Sequence, residues 1–114
     1  MKINVLRRGR EVLETEASAI RDLKSRINGN FKQAINLILK TKGRVVVSGM
    51  GKTGIIAQKF SATLASTGTP SLFLHTAEAI HGDLGKVTSS DVVVILSNSG
   101  STEEMRKLLP QIGR

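Results

Sequence analysis

The chain has no cysteine, tryptophan or tyrosine, only two prolines in 114 residues, and nine acidic side chains against seventeen basic ones. Without cysteine there is no disulfide framework, no thiolate nucleophile and no cysteine-ligated zinc, and the redox compartment stays open by this route. Without tyrosine or tryptophan, the basic residues lack the aromatic partners on which nucleic-acid bases stack. The longest apolar run, Val92 to Leu96, is far shorter than the ~18 residues of a membrane span. The N-terminus is charged and has no apolar signal core. The short apolar runs exclude a membrane-spanning protein and the N-terminus argues against a secreted one, so a cytoplasmic location is expected.

Hydrophobic residues make up 39% of the chain and charged residues 23%, enough apolar material for a core and too little charge for a disordered polymer. One domain, or part of one, is expected. The net charge of +8 is uneven: residues 1–59 hold thirteen Lys/Arg and four Asp/Glu, whereas residues 60–114 hold four and five. Arg7, Arg8, Arg10, Arg21, Lys24, Arg26, Lys32, Lys40, Lys42 and Arg44 are dispersed along predicted helices. That dispersal reads as a solvated face, so no specific nucleic-acid partner is expected.

Periodicity sets the element order. Leu13, Ala17, Ile20, Leu23 and Ile27 recur three or four apart from Val12 onward, predicting a helix that Asn28, Gly29 and Asn30 break. Phe31, Ala34, Ile35, Ile38 and Leu39 form a second stripe, with Asn30 placed to cap its start and Gly43 to close its end. Val45 to Ser48 then reads as a short strand buried on both faces. Gly49 to Gly54 reads as a glycine-rich turn, Ile55 to Leu64 as a helix stopped by Thr67 to Pro70, and Ser71 to His75 as a second strand. An irregular stretch around His81 to Gly85 contains a short helix, Val92 to Leu96 gives a third strand, and Thr102 to Leu109 a last helix. Strands spaced by helical crossovers define an α/β fold, a parallel sheet with helices on both faces, preceded by two N-terminal helices. Doubly wound sheets normally have five or six strands, so about three strands imply a sheet that is incomplete within this chain. The expected division is residues 1–43 as the N-terminal helical segment and 44–114 as the first three strand–helix units of a truncated domain.

The Gly49-Met50-Gly51-Lys52-Thr53-Gly54 turn joins a strand to a helix, where free amides and the helix dipole favour an anion. It satisfies G-x-G-x-x-G, yet the next strand ends in His75 and Thr76 without the acidic residue a dinucleotide ribose requires, and Glu78 comes late. A nucleotide-triphosphate loop needs glycine where Val46 stands. A sugar phosphate remains, and the turn Ser97-Asn98-Ser99-Gly100-Ser101-Thr102 supports it. That turn sets four hydroxyls and an amide between a strand end and a helix start, on the sheet edge where open parallel sheets bind ligands. The competing reading is that these residues only cap a helix. The candidate binding set is Gly49, Gly51, Thr53, Ser97, Asn98, Ser99 and Thr102.

VVVSGMGKTG (Val45 to Gly54), STGTP (Ser66 to Pro70), HGDLG (His81 to Gly85) and SNSGSTEE (Ser97 to Glu104) together resemble the sugar isomerase (SIS) domain of D-arabinose 5-phosphate isomerases. The resemblance covers nearly the whole chain, and HGDLG with GMGKTG is more specific than either glycine pattern. It implies a SIS-type, flavodoxin-like sheet and interconversion of D-ribulose 5-phosphate and D-arabinose 5-phosphate through an enediol, feeding Kdo synthesis for lipopolysaccharide. It also implies a homotetramer with sites near subunit contacts, and no cofactor or metal. Lys52 and Glu104 match the family's catalytic set, with His81 in the active-site region. In the family a further glutamate and a histidine come from later sequence and have no counterpart here, and full-length members usually continue through two more strands and a pair of CBS modules. The family often has glutamate where Ser101 stands.

The chemistry fits those residue types. Moving a proton between two sugar carbons needs a base poised near neutrality, a group for the hydroxyl protons and a cation for the enediolate oxygen. Glu104 would suit the base if partly desolvated, Lys52 the cation and His81 a proton shuttle. The bland alternatives are a first-turn helix acid, a solvated lysine and a structural histidine. Glu103 and His75 are read as structural, and Asp83 as fixing its own turn. With part of the catalytic set absent, the 114-residue chain alone is expected to be inactive. A non-catalytic sugar-phosphate-binding regulatory module is the competing function.

Overall fold

The computed structural model describes residues 2–80 and 83–100, with the backbone alone for residues 79, 80, 83 and 84. The predicted helix from Thr102 therefore lies outside the described residues. Two compact units part between Asn36 and Leu37.

In the first unit, helix α1 (Val5–Asp22) starts well before the predicted Val12. Asn4 caps it by accepting the Arg7 N–H at 3.0 Å, and Glu11 receives Arg7 and Arg8 at 3.2 and 3.3 Å, one turn back. The arginines and Gly9 mask a stripe that already includes Val5 and Leu6. Past Asp22 the helix tightens into a 3₁₀ turn, Leu23–Arg26.

Helix α2 (Gly29–Lys40) is the predicted second helix, with both caps reassigned. Asn28, not Asn30, caps it, its side-chain oxygen accepting the Asn30 and Phe31 amides at 3.0 and 3.4 Å. Gly43 is not a left-handed helix terminator, since the positive-φ glycines are Gly51, Gly68 and Gly100. It is there for space: a Cβ would sit 2.5 Å from Asp91 Oδ1 and from the Ser90 carbonyl.

The second unit holds three parallel strands, β1 (Val45–Gly49), β2 (Ser71–His75) and β3 (Val92–Ile95), in the order β2-β1-β3. Strand β1 runs one residue past the predicted Ser48, and β3 stops one short of Leu96. Val45 pairs with Ser71 on one side and Val92 on the other. As predicted, β1 is buried throughout. Its odd residues Val45 and Val47 pack with Ala57 of helix α3 (Gly51–Ser66) and with Ile38, Leu64, Phe73, Val94 and Leu96. Val46 packs with Leu74, Leu72, Val87, Val93 and Ile95 on the opposite face. The β2-to-β3 connection carries helix α4 (Thr76–Ile80) and a 3₁₀ turn, Asp83–Lys86. The chain thus leaves β1 for one side through α3 and returns from β2 past β1 to the other side. This is the start of a flavodoxin-like order, whose switch point lies between β1 and β3.

A polar clamp fastens the amino ends of β1 and β3. The Asp91 carboxylate, 2% exposed, accepts the Arg44 amide at 2.7 Å and the Thr88 amide at 2.8 Å, and lies 3.7 Å from the Arg44 guanidinium. Those two backbone amides, Arg44 first, hold its pKa below the ordinary aspartate value against the opposing effect of burial. The Arg44 guanidinium also donates to the Lys86 carbonyl at 2.7 Å.

Candidate functional site

The switch point is built by glycine. Met50 is extended (φ −124°, ψ 153°) and makes no side-chain cap, and Gly51 turns left-handed at φ 55°, so the chain passes from β1 into α3 with no intervening loop. The predicted glycine-rich turn is therefore largely the first turn of α3, which begins at Gly51 and not at Ile55. Gly54 donates to the Met50 carbonyl at 3.0 Å, while the amides of Lys52 and Thr53 precede the helical ladder. Gly49 and Gly54 allow helix and strand to touch. A Cβ on Gly54 would lie 2.9 Å from the Gly49 oxygen, and one on Gly49 would lie 3.1 Å from the Thr53 oxygen.

On the other side of the switch point, Leu96 extends the ladder by donating to the Ser48 carbonyl at 2.9 Å. Ser97 then turns the chain, its hydroxyl oxygen accepting the Gly100 amide at 2.7 Å, with Gly100 at φ 72°. Between the two turns lies an open cleft of about 470 Å³ lined by Lys52, Thr53, Ile56, Leu96, Ser97 and Asn98. Four polar side chains thus meet over two aliphatic ones. Lys52 is exposed and forms no ion pair among the described residues. The cleft combines an exposed ammonium, hydroxyl and amide donors and a helix N-terminus that Met50 leaves without a side-chain cap, which suits an anion carrying hydroxyl groups.

Of the residues singled out in the sequence, Lys52, Thr53, Ser97 and Asn98 come together in this cleft. Gly49 and Gly51 shape it through the backbone, and Ser99 is exposed in the same turn as Ser97. His81, Thr102, Glu103, Glu104 and Ser101 lie outside the described residues, as does the Asp83 side chain. His75 is half-buried away from the cleft, its Nδ1 accepting the Ala77 amide at 3.2 Å and its ring edge-on to Phe73. Two cleft residues escaped sequence reading. Ile56 follows Lys52 by one helical turn, a signal that was available, and Leu96 was counted only as a strand residue. Among the described residues no three His, Asp or Glu side chains gather to hold a metal ion, and no helix is long and apolar enough to cross a membrane.

A doubly wound parallel sheet with a polar cleft at its first switch point defines a class of small-ligand α/β domain, and comparison with known proteins narrows it. The SIS domain family matches residues 37–113, and the chain belongs to that family. Arabinose 5-phosphate isomerase KdsD of Pseudomonas aeruginosa is 58% identical over 99 residues, which are 87% of this chain and 30% of that protein. The KdsD of Escherichia coli K12 is 51% identical over 106 residues, covering 93% and 32%. The chain therefore spans about a third of the length of these relatives. In structure, a protein of E. coli CFT073 in complex with arabinose 5-phosphate superposes with a TM-score of 0.91 at 40% identity, covering 99% of this chain and 61% of that one.

Proposed function

We propose that the protein carrying this domain is an aldose–ketose isomerase acting on pentose 5-phosphates, D-ribulose 5-phosphate and D-arabinose 5-phosphate. The observation that carries the proposal is the meeting of Lys52 and Thr53 with Ser97 and Asn98 in one cleft at the β1/β3 switch point. Relatives named arabinose 5-phosphate isomerase and a structural neighbour in complex with arabinose 5-phosphate support the choice of sugar.

In this mechanism the α3 amides, Thr53 and the Ser97 turn, with Ser99 and Thr102, hold the phosphate and hydroxyls. Glu104 takes the proton from C1 of the ketose while the C2 carbonyl oxygen gathers negative charge. The Lys52 ammonium offsets that charge. His81 carries the hydroxyl proton between O1 and O2, and return of the first proton to C2 completes the aldose. C1 is oxidised as C2 is reduced within the same sugar, so the step consumes no external oxidant or reductant. The same reading includes supply of the product to Kdo synthesis for lipopolysaccharide, a homotetramer and a cytoplasmic location.

The test is a coupled assay on D-ribulose 5-phosphate with the full-length protein. Glu104→Gln should lower kcat by at least about 10²-fold with KM little changed, and Lys52→Ala should damage both. Binding without turnover in the wild type would instead identify a regulatory sugar-phosphate module.

A further inference from the structure

Two buried hydroxyls meet where the end of β1 faces the start of α4. Ser48, 1% exposed, and Thr76, fully buried, face each other at 2.9 Å, although 28 residues separate them in the chain. In the sheet, Ser48 is in register with Leu74 of β2 and Ile95 of β3. Ser48 immediately precedes the Gly49–Lys52 step into α3, and Thr76 is the first residue of α4. The His75 ring, next in line, holds the same helix start through the Ala77 amide at 3.2 Å.

A buried hydroxyl pair contributes little net stability, because both groups were hydrogen-bonded to water before folding, and apolar groups of the same shape substitute at little cost. Removing one partner alone leaves the other buried without it. What the pair supplies over an aliphatic contact is direction: one arrangement of the β1 end and the α4 start satisfies both oxygens. We propose that Ser48 and Thr76 are positioning residues that lock the start of α4 to the end of β1, and so fix where the following turn presents Lys52 in the cleft. The catalytic part of this statement rests on the isomerase reading above; the locking of α4 does not.

The test compares Ser48→Ala, Thr76→Val, their combination, and Thr76→Ser as the conservative variant, all in the full-length protein. Each single replacement should lower Tm by several degrees, and the double replacement should recover most of that loss. Exchange of the Ala77 and Glu78 amides should be faster on the order of tenfold in the double variant and unchanged in Thr76→Ser. The kcat of the double variant should stay low, on the order of 10- to 100-fold below wild type, despite its recovered Tm. A double variant with wild-type Tm, amide exchange and kcat would show that the pair only fills space, and would overturn the proposal. If the wild type does not turn over pentose phosphates, the isomerase reading falls, and amide exchange alone decides whether the pair locks α4.

Discussion

Replacing Gly54 by alanine tests whether the first turn of α3 must lie against β1. In an exposed helix interior, glycine to alanine stabilises by about 0.5–1 kcal/mol through lost backbone freedom in the unfolded chain. Gly9 in α1 is such a position, with nothing within 4 Å of the place an added methyl group would take. At Gly54 the same methyl group would meet the Gly49 oxygen at 2.9 Å and the Gly49 carbonyl carbon at 3.2 Å. Both atoms are backbone of a strand paired on two sides, so neither can swing away as a side chain would. Overpacking of this kind costs about 1–3 kcal/mol. Gly9→Ala should therefore raise the urea midpoint and Gly54→Ala lower it, and the difference between them isolates the clash, since both share the propensity gain. Gly54→Ala should also weaken pentose phosphate binding, because relief of the clash lifts Lys52 and Thr53 away from the Ser97 turn. If Gly54→Ala is as stabilising as Gly9→Ala, the close contact of helix and strand is wrong.

Two further outcomes follow from the sheet. Asp91 has a lowered pKa in the folded state, so its contribution to stability is complete above the unfolded value of roughly 4 and is lost as pH falls through the lower folded value. Asp91→Asn should be less stable at neutral pH and should lose less on acidification than the wild type, read from urea midpoints between about pH 6 and pH 3. Val46→Ala empties a position that is 0% exposed and should cost about 2 kcal/mol in chemical denaturation. An equal cost for Val92→Ala, at a half-buried position, would contradict the full burial of β1.

Elements with a clear residue period or an unbroken β-branched run were legible in the sequence. The stripe from Phe31 to Leu39 is α2, and the Val45 run is, among the described residues, the strand buried throughout. The two turns of the cleft were legible because glycine and hydroxyl residues at strand ends have few other uses. Boundaries were lost where one residue type serves two purposes. Gly51 and Gly54 read as loop glycines, whereas one is the left-handed step into α3 and the other a contact surface within it. Gly43 reads as a helix stop, yet it makes room for Asp91. The Asp91 clamp and the Ser48–Thr76 pair join residues 47 and 28 positions apart. Neither periodicity nor local spacing carries any trace of such pairings.

The measurement that tests the central claim most directly is an amide chemical-shift titration of the full-length protein with D-arabinose 5-phosphate. The account predicts saturable shifts concentrated at Gly51, Lys52, Thr53, Ser97 and Asn98, with the Arg44 and Asp91 amides at the far end of the strands unmoved, and with the Lys52 and Thr53 shifts lost in Gly54→Ala. Shifts centred away from the β1/β3 switch point, or none at saturating ligand, would contradict it.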